Sequence, residues 1–117
     1  MNKEYDIYKR TYQFSIDIIN FVNILSNQKF TFTILDQLTR SACSIGANLR
    51  EAKQSRTKKE FISTFGISLK EAEETCYWLS LIKDTNIQNK DKCVILLKEC
   101  EEIVKILSTI IIKSKKN

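Results

Sequence analysis

Two groups of residues in this sequence stand where they could do chemistry. The first is polar and acidic. Ser44, Asn48 and Glu51 are spaced i, i+4 and i+7, so on a helix they share one face. Glu71 and Glu74 recur at helical spacing further on and could meet that face within one chain or between chains. Two carboxylates held near an amide suit cation coordination or acid–base work. The same row suits a buried hydrogen-bond network, closed by Arg40 or Arg50, that fixes the register of neighbouring helices. Register is the preferred reading, a ligand or ion site the second, and catalysis the last. Catalysis ranks last because His is absent, no Ser is followed by a plausible base, and no glycine-rich phosphate loop exists. The expectation is a non-enzymatic protein without a cofactor.

The second group is cationic. Arg50, Lys53, Arg56, Lys58 and Lys59 place five cations in ten residues, with Glu51 as the opposing carboxylate in that run. Cations at that density suit the phosphate backbone of a nucleic acid. If a helix starts there, its first amides add positive potential. The alternative is an ordinary solvated turn. Tyr5, Tyr8 and Tyr12 offer stacking surfaces, although packing in or beside the core is the first expectation for each. No base-reading motif is present, so binding should be tolerant of sequence.

The four cysteines, Cys43, Cys76, Cys93 and Cys100, show no C-x-x-C spacing. A zinc site would need all four thiolates to converge from three helices, so no metal is expected. Cys76, Cys93 and Cys100 fall on apolar seams, where a free thiol behaves as a small hydrophobe in a reducing compartment.

Positioning these groups falls to helices. The chain has 117 residues, no Pro, 2 Gly and 43% hydrophobic residues, which disfavours a turn-rich sandwich or barrel. That length suits a single domain over residues 1–117. The net charge of +5 and pI near 9.0 fit an anionic partner without specifying one. No apolar signal core opens the chain. The apolar run Ile106 to Ile112 falls far short of the ~20 residues that cross a bilayer. A cytoplasmic protein without a membrane role is expected.

Apolar periodicity predicts a first helix from about Tyr5 to Leu25, striped by Ile7, Thr11, Phe14, Ile18, Phe21 and Leu25. The link from Ser26 to Phe32 should be a turn with Phe30 and Phe32 tucked under the helices. A second helix from Thr33 to Gln54 carries the seam Leu35, Leu38, Ala42, Ile45, Leu49 and Ala52. Its small residues Ser41, Ala42, Cys43, Ser44, Gly46 and Ala47 allow another backbone to come close. Thr57-Lys58-Lys59-Glu60 fits a capping box, starting a third helix at Lys58 that runs to Thr85. Its main seam is Phe61 or Ile62, Phe65, Leu69, Ala72, Cys76 and Leu79. A second stripe, Ile67, Glu71, Glu74, Trp78 and Leu81, implies burial on two sides and hence self-association. A fourth helix spans Lys90 to Lys113. Four helices with short links predict an all-α, antiparallel, up-down-up-down four-helix bundle.

The stretches SACSIGANLREA, SRTKKEF and SLKEAEETCYWLSLI resemble the four-helix-bundle proteins of intervening sequences in bacterial 23S rRNA genes. Ala42, Ser44, Ile45, Asn48, Glu51, Lys59, Glu60, Phe61, Glu71 and Glu74 fall on that pattern, over roughly residues 5 to 112. Ala52 stands where the family usually has Gly, and Gly46 where it often has Pro. The resemblance implies a four-helix bundle assembled as a homopentamer and brings no established reaction. It extends to the accessory variability protein of diversity-generating retroelements, a basic pentamer that binds nucleic acid. The expected function is therefore a non-enzymatic oligomer that binds nucleic acid, RNA ahead of DNA, through the cationic run. The alternative is an oligomeric scaffold, or a small-ligand or ion-binding protein, in which the polar row lines a pocket.

Overall fold

The computed structural model describes residues 7–26, 32–85 and 88–116. Four helices account for the regular structure among them: α1 (Ile7–Ser26), α2 (Phe32–Ala52), α3 (Lys58–Asp84) and α4 (Lys90–Lys115). The fold is all-α and compatible with a four-helix bundle, elongated to 49 × 23 × 20 Å. Tyr5 and Phe30 lie outside the described residues.

α1 buries the whole expected stripe, from Ile7 to Leu25 at intervals of three and four. α2 buries its expected seam with Ser41 added. It begins one residue earlier than the pattern indicates, at Phe32. That side chain is 79% exposed, so it does not tuck under the helices as expected. As the opening residue of α2 it precedes the first seam position, Leu35, by nearly a full turn, and Leu35 takes the buried place instead.

The end of α2 also differs. Lys53, Gln54 and Ser55 donate their backbone N–H groups to the carbonyls of Arg50, Glu51 and Ala52, each three residues back. This tighter winding ends the α-helix at Ala52 and satisfies carbonyls that the helix end would leave open. The start of α3 is fixed by side chains. Thr57 Oγ1 accepts from the Glu60 amide at 3.0 Å, as the capping box requires. The Glu60 carboxylate reaches one residue beyond the cap and accepts from the Arg56 amide at 2.9 Å.

The seam of α3 is more polar than apolar counting indicates. Phe65, Ser68, Ala72, Thr75, Leu79 and Ile82 are buried, whereas Phe61, Leu69 and Cys76 are half-buried against the core. Ser68 and Thr75 tolerate burial because their hydroxyls are satisfied. Ser68 donates to the Ile45 carbonyl at 2.8 Å. Thr75 Oγ1 lies 2.8 Å from both Ser41 Oγ and the Glu71 carbonyl oxygen. On its other side α3 receives the thiols of α4. Cys93 donates to the Leu79 carbonyl at 3.3 Å and Cys100 to the Ala72 carbonyl at 3.2 Å. α3 thus touches α2 and α4, and α1 touches the same two helices. Arg10 of α1 is joined to Glu99 of α4 by a two-pronged ion pair, at 2.6 and 3.0 Å.

Candidate nucleic-acid interface

α2 and α3 meet in a short turn, and the five cations are distributed around it. Arg50 lies in the last turn of α2, where the carbonyl end of the helix favours positive charge. Lys53 and Arg56 lie in the turn, while Lys58 and Lys59 open α3. All five are exposed. Within the described residues, Arg50, Lys53, Arg56 and Lys59 form no ion pair. The cap of α3 changes one part of the expectation. The Glu60 amide is taken by Thr57, and the Glu60 carboxylate sits on the amide of Arg56. The N-terminus of α3 therefore carries its own anion, and the positive potential comes from side chains.

Two of the cations lie over aromatic rings of α1. Lys53 Nζ lies 4.3 Å from the centre of the Tyr8 ring, and the Arg50 guanidinium 5.8 Å from that of Tyr12. Both fall in the range of cation–π attraction, about 0.5–1 kcal/mol at exposed sites. Tyr8 and Tyr12 are four residues apart and so share a face of α1. Together with Ser15, Cys43, Gly46, Ala47 and Arg50 they line a groove of about 330 Å³ between α1 and α2. At Gly46 the backbone of α1 comes close, since a Cβ there would lie 3.5 Å from the Thr11 carbonyl group. Tyr8 is steadied from below by Phe65, edge-on at 6.5 Å between ring centres. Burial raises the pKa of the Tyr8 hydroxyl above its ordinary value, so its neutral form is favoured. Burial also pushes the Cys43 thiol up, opposed by its hydrogen bond with Ser15.

The polar row does not form a buried network within the single chain. Glu51 and Glu74 are exposed, and Ser44, Asn48 and Glu71 are half-buried. Ser44 donates to the Arg40 carbonyl, Asn48 to the Ser44 carbonyl at 2.7 Å, and Glu74 accepts from the Trp78 indole at 3.1 Å. Each bond stays on its own helix. The row is rotated off the contact face, which Ser41 and Ile45 occupy instead. The buried polar link between α2 and α3 is Ser41 with Thr75. Apolar counting missed it because hydroxyl residues interrupt the seam. Glu71 has its carboxyl raised, first by burial and then by the neighbouring charge of Glu74. Arg40 pairs with Asp36 on its own helix at 3.0 Å.

The second stripe of α3 stays partly open. Ile67 is 48% exposed, while Trp78 and Leu81 are half-buried. Cys93 and Cys100 are buried as the seams imply, and Cys76 is half-buried. Among the described residues, no three of Cys, Asp and Glu converge as metal ligands, and no helix is long and apolar enough to cross a membrane.

Fold and site together define a small all-α protein whose charged chemistry lies on its surface, concentrated at one turn. The chain belongs to the 23S rRNA-intervening sequence protein family, which matches it over residues 3–109. It is similar to a protein of unknown function from the S23 ribosomal protein family of Bacteroides thetaiotaomicron VPI-5482, known from a 1.70 Å crystal structure. The two share 36% identity over 90% of this chain and 97% of that one, with a TM-score of 0.85. None of the curated proteins matches the chain.

Proposed function

We propose that this protein is a non-enzymatic, self-associating four-helix bundle that binds nucleic-acid backbone, RNA ahead of DNA, through the turn between α2 and α3. The observation that carries the reading is the exposure of Arg50, Lys53, Arg56 and Lys59 without ion pairs around one turn. Cations that no carboxylate neutralises release counterions from a phosphate backbone when they dock on it. The net charge of +5 works in the same direction. The mention of 23S rRNA in the family description is what favours RNA over DNA in this reading.

The helices run antiparallel, up-down-up-down. Support comes from paired contacts whose numbers move in opposite directions: Ser41 with Thr75 and Ile45 with Ser68, then Ala72 with Cys100 and Leu79 with Cys93. Self-association uses the outer stripe of α3, where Ile67, Trp78 and Leu81 lack full cover from their own chain. A homopentamer is the number that the family resemblance implies. Repetition of the cationic turn around such a ring turns weak single contacts into useful affinity.

Titrating RNA binding against salt tests the reading. Log K should fall linearly with log salt, by about 0.7 per phosphate neutralised on a single strand. Replacing both Arg56 and Lys59 by Ala should flatten that slope by about 1.4. Unchanged affinity and slope in the double variant would remove the turn from the account.

A further inference from the structure

We infer that the groove between α1 and α2 receives an unpaired base of a single-stranded nucleic acid, with the Tyr12 ring as its stacking platform. The inference rests on the backbone-binding reading above and adds a second contact to it. Tyr12 is 59% exposed, so its ring is surface that the core does not use. It opens onto a groove of about 330 Å³ whose walls, Ser15, Cys43, Gly46 and Ala47, are small enough to admit a flat ring. That volume lies at the lower end of ordinary small-ligand sites.

Arg50 marks the open face of the platform. Its guanidinium stands 5.8 Å from the centre of the Tyr12 ring. A planar group between the two needs about 3.5 Å on each side, or about 7 Å in all. Arg50 is exposed, so a small swing of its long side chain makes that room. The base would then lie between a ring and a guanidinium, both of which stack on nucleobases. Tyr8 is a poorer platform, because Lys53 covers one face and Phe65 meets the ring edge-on.

Charge continuity selects the strand. Arg50 and Lys53 belong to the cationic turn and also line or overhang the groove. A phosphate beside the stacked base can therefore reach a cation without a break in the chain. The groove between α1 and α4 has Lys92 and Phe21 in its lining, but Phe21 is buried and Asp17 lines the same groove. The one between α3 and α4 is lined by Glu73, Cys76, Glu101, Val104 and Lys105, with no aromatic ring. A duplex keeps its bases stacked on one another and could offer the groove only its backbone or an extruded base.

The test measures dissociation constants, at fixed salt, for an oligouridylate of about twelve nucleotides, within the site sizes usual for single strands. Comparison ligands are a base-free ribose-phosphate strand of equal length and a duplex RNA. The parent should prefer the base-bearing strand by roughly 5- to 150-fold for each stacked base. Tyr12→Ala should bring that affinity down to that of the base-free strand, while Tyr12→Phe should keep the preference. Equal affinity of the parent for the two strands, or an undiminished preference in Tyr12→Ala, overturns the groove and leaves the phosphate reading standing. Absence of salt-dependent binding to all three ligands overturns both.

Discussion

The contact between Ser41 and Thr75 offers a direct test of how α2 and α3 are matched. Both residues are buried, and their hydroxyl oxygens lie 2.8 Å apart across the two helices. Each also has a partner on its own helix: Leu38 for Ser41 at 3.3 Å, and Glu71 for Thr75 at 2.8 Å. Thr75→Val keeps the shape and removes the hydroxyl. Ser41 can still donate to the Leu38 carbonyl, so no buried donor is orphaned. The loss is then that of one ordinary hydrogen bond, about 1 kcal/mol. For a domain of this size that corresponds to roughly 4 °C in Tm.

Ser41→Ala has two opposing terms. It removes the same interhelical bond but gains helix propensity, about half a kcal/mol. A double-mutant cycle cancels that propensity, because it enters both the single and the double variant. With both hydroxyls gone the site becomes apolar on both sides, and the double variant should be more stable than the sum of the singles predicts by about 1 kcal/mol. The assay is urea unfolding followed by circular dichroism, at one protomer concentration, since self-association would raise apparent stability. Strict additivity, within the ~0.3 kcal/mol usual for sites that do not touch, would mean that Ser41 and Thr75 are not paired. The opposite-running register of α2 and α3 would then lose its main support.

Other expectations concern the thiols and the outer face. Cys76 should be alkylated by iodoacetamide ahead of Cys43, with Cys93 and Cys100 protected until unfolding, as read by peptide mass mapping. When Cys76 ionises, the Cys100 S–H can turn from the Ala72 carbonyl to the thiolate, which lowers the Cys76 pKa, whereas burial pushes Cys93 up to about 11. Cys100 is driven up by the same contact and by burial. Cys100→Ala removes the donor, so Cys76 should need a higher pH for the same alkylation rate; an unchanged pH profile would separate the two thiols. Trp78→Glu places a charge beside Glu74 on the outer stripe of α3 and should reduce the particle mass measured by light scattering. An oligomer of unaltered mass would put Trp78 outside the subunit contact.

The sequence carried the fold further than the site, and particular residues show why. Spacing alone identified the buried stripe of α1 and the apolar seam of α2, because burial selects side chains of one type at one period. The start of α3 was equally legible, since a cap is a local device whose donor and acceptor lie three residues apart. Ser68 and Thr75 escaped the count because what makes them suited to the core is a partner on α2, invisible along the chain. The polar row, which makes no buried network within the single chain, shows the converse limit. Its spacing placed Ser44, Asn48 and Glu51 correctly on one face, but a period cannot say which neighbour, if any, that face meets.

The same limit governs the functional reading. A run of cations is visible in sequence, yet its value depends on what lies beside it in space. Lys53 stands 45 residues after Tyr8 along the chain and 4.3 Å above its ring in the fold. Because the contact face of α1 turns Tyr8 and Tyr12 toward the end of α2, charge and aromatic surface form one continuous strip. Such a strip can engage a strand through two independent terms, counterion release at the phosphates and stacking at a base. The first fades with salt and the second largely does not. Residual affinity at high salt should therefore track Tyr12, while affinity at low salt should track Arg56 and Lys59.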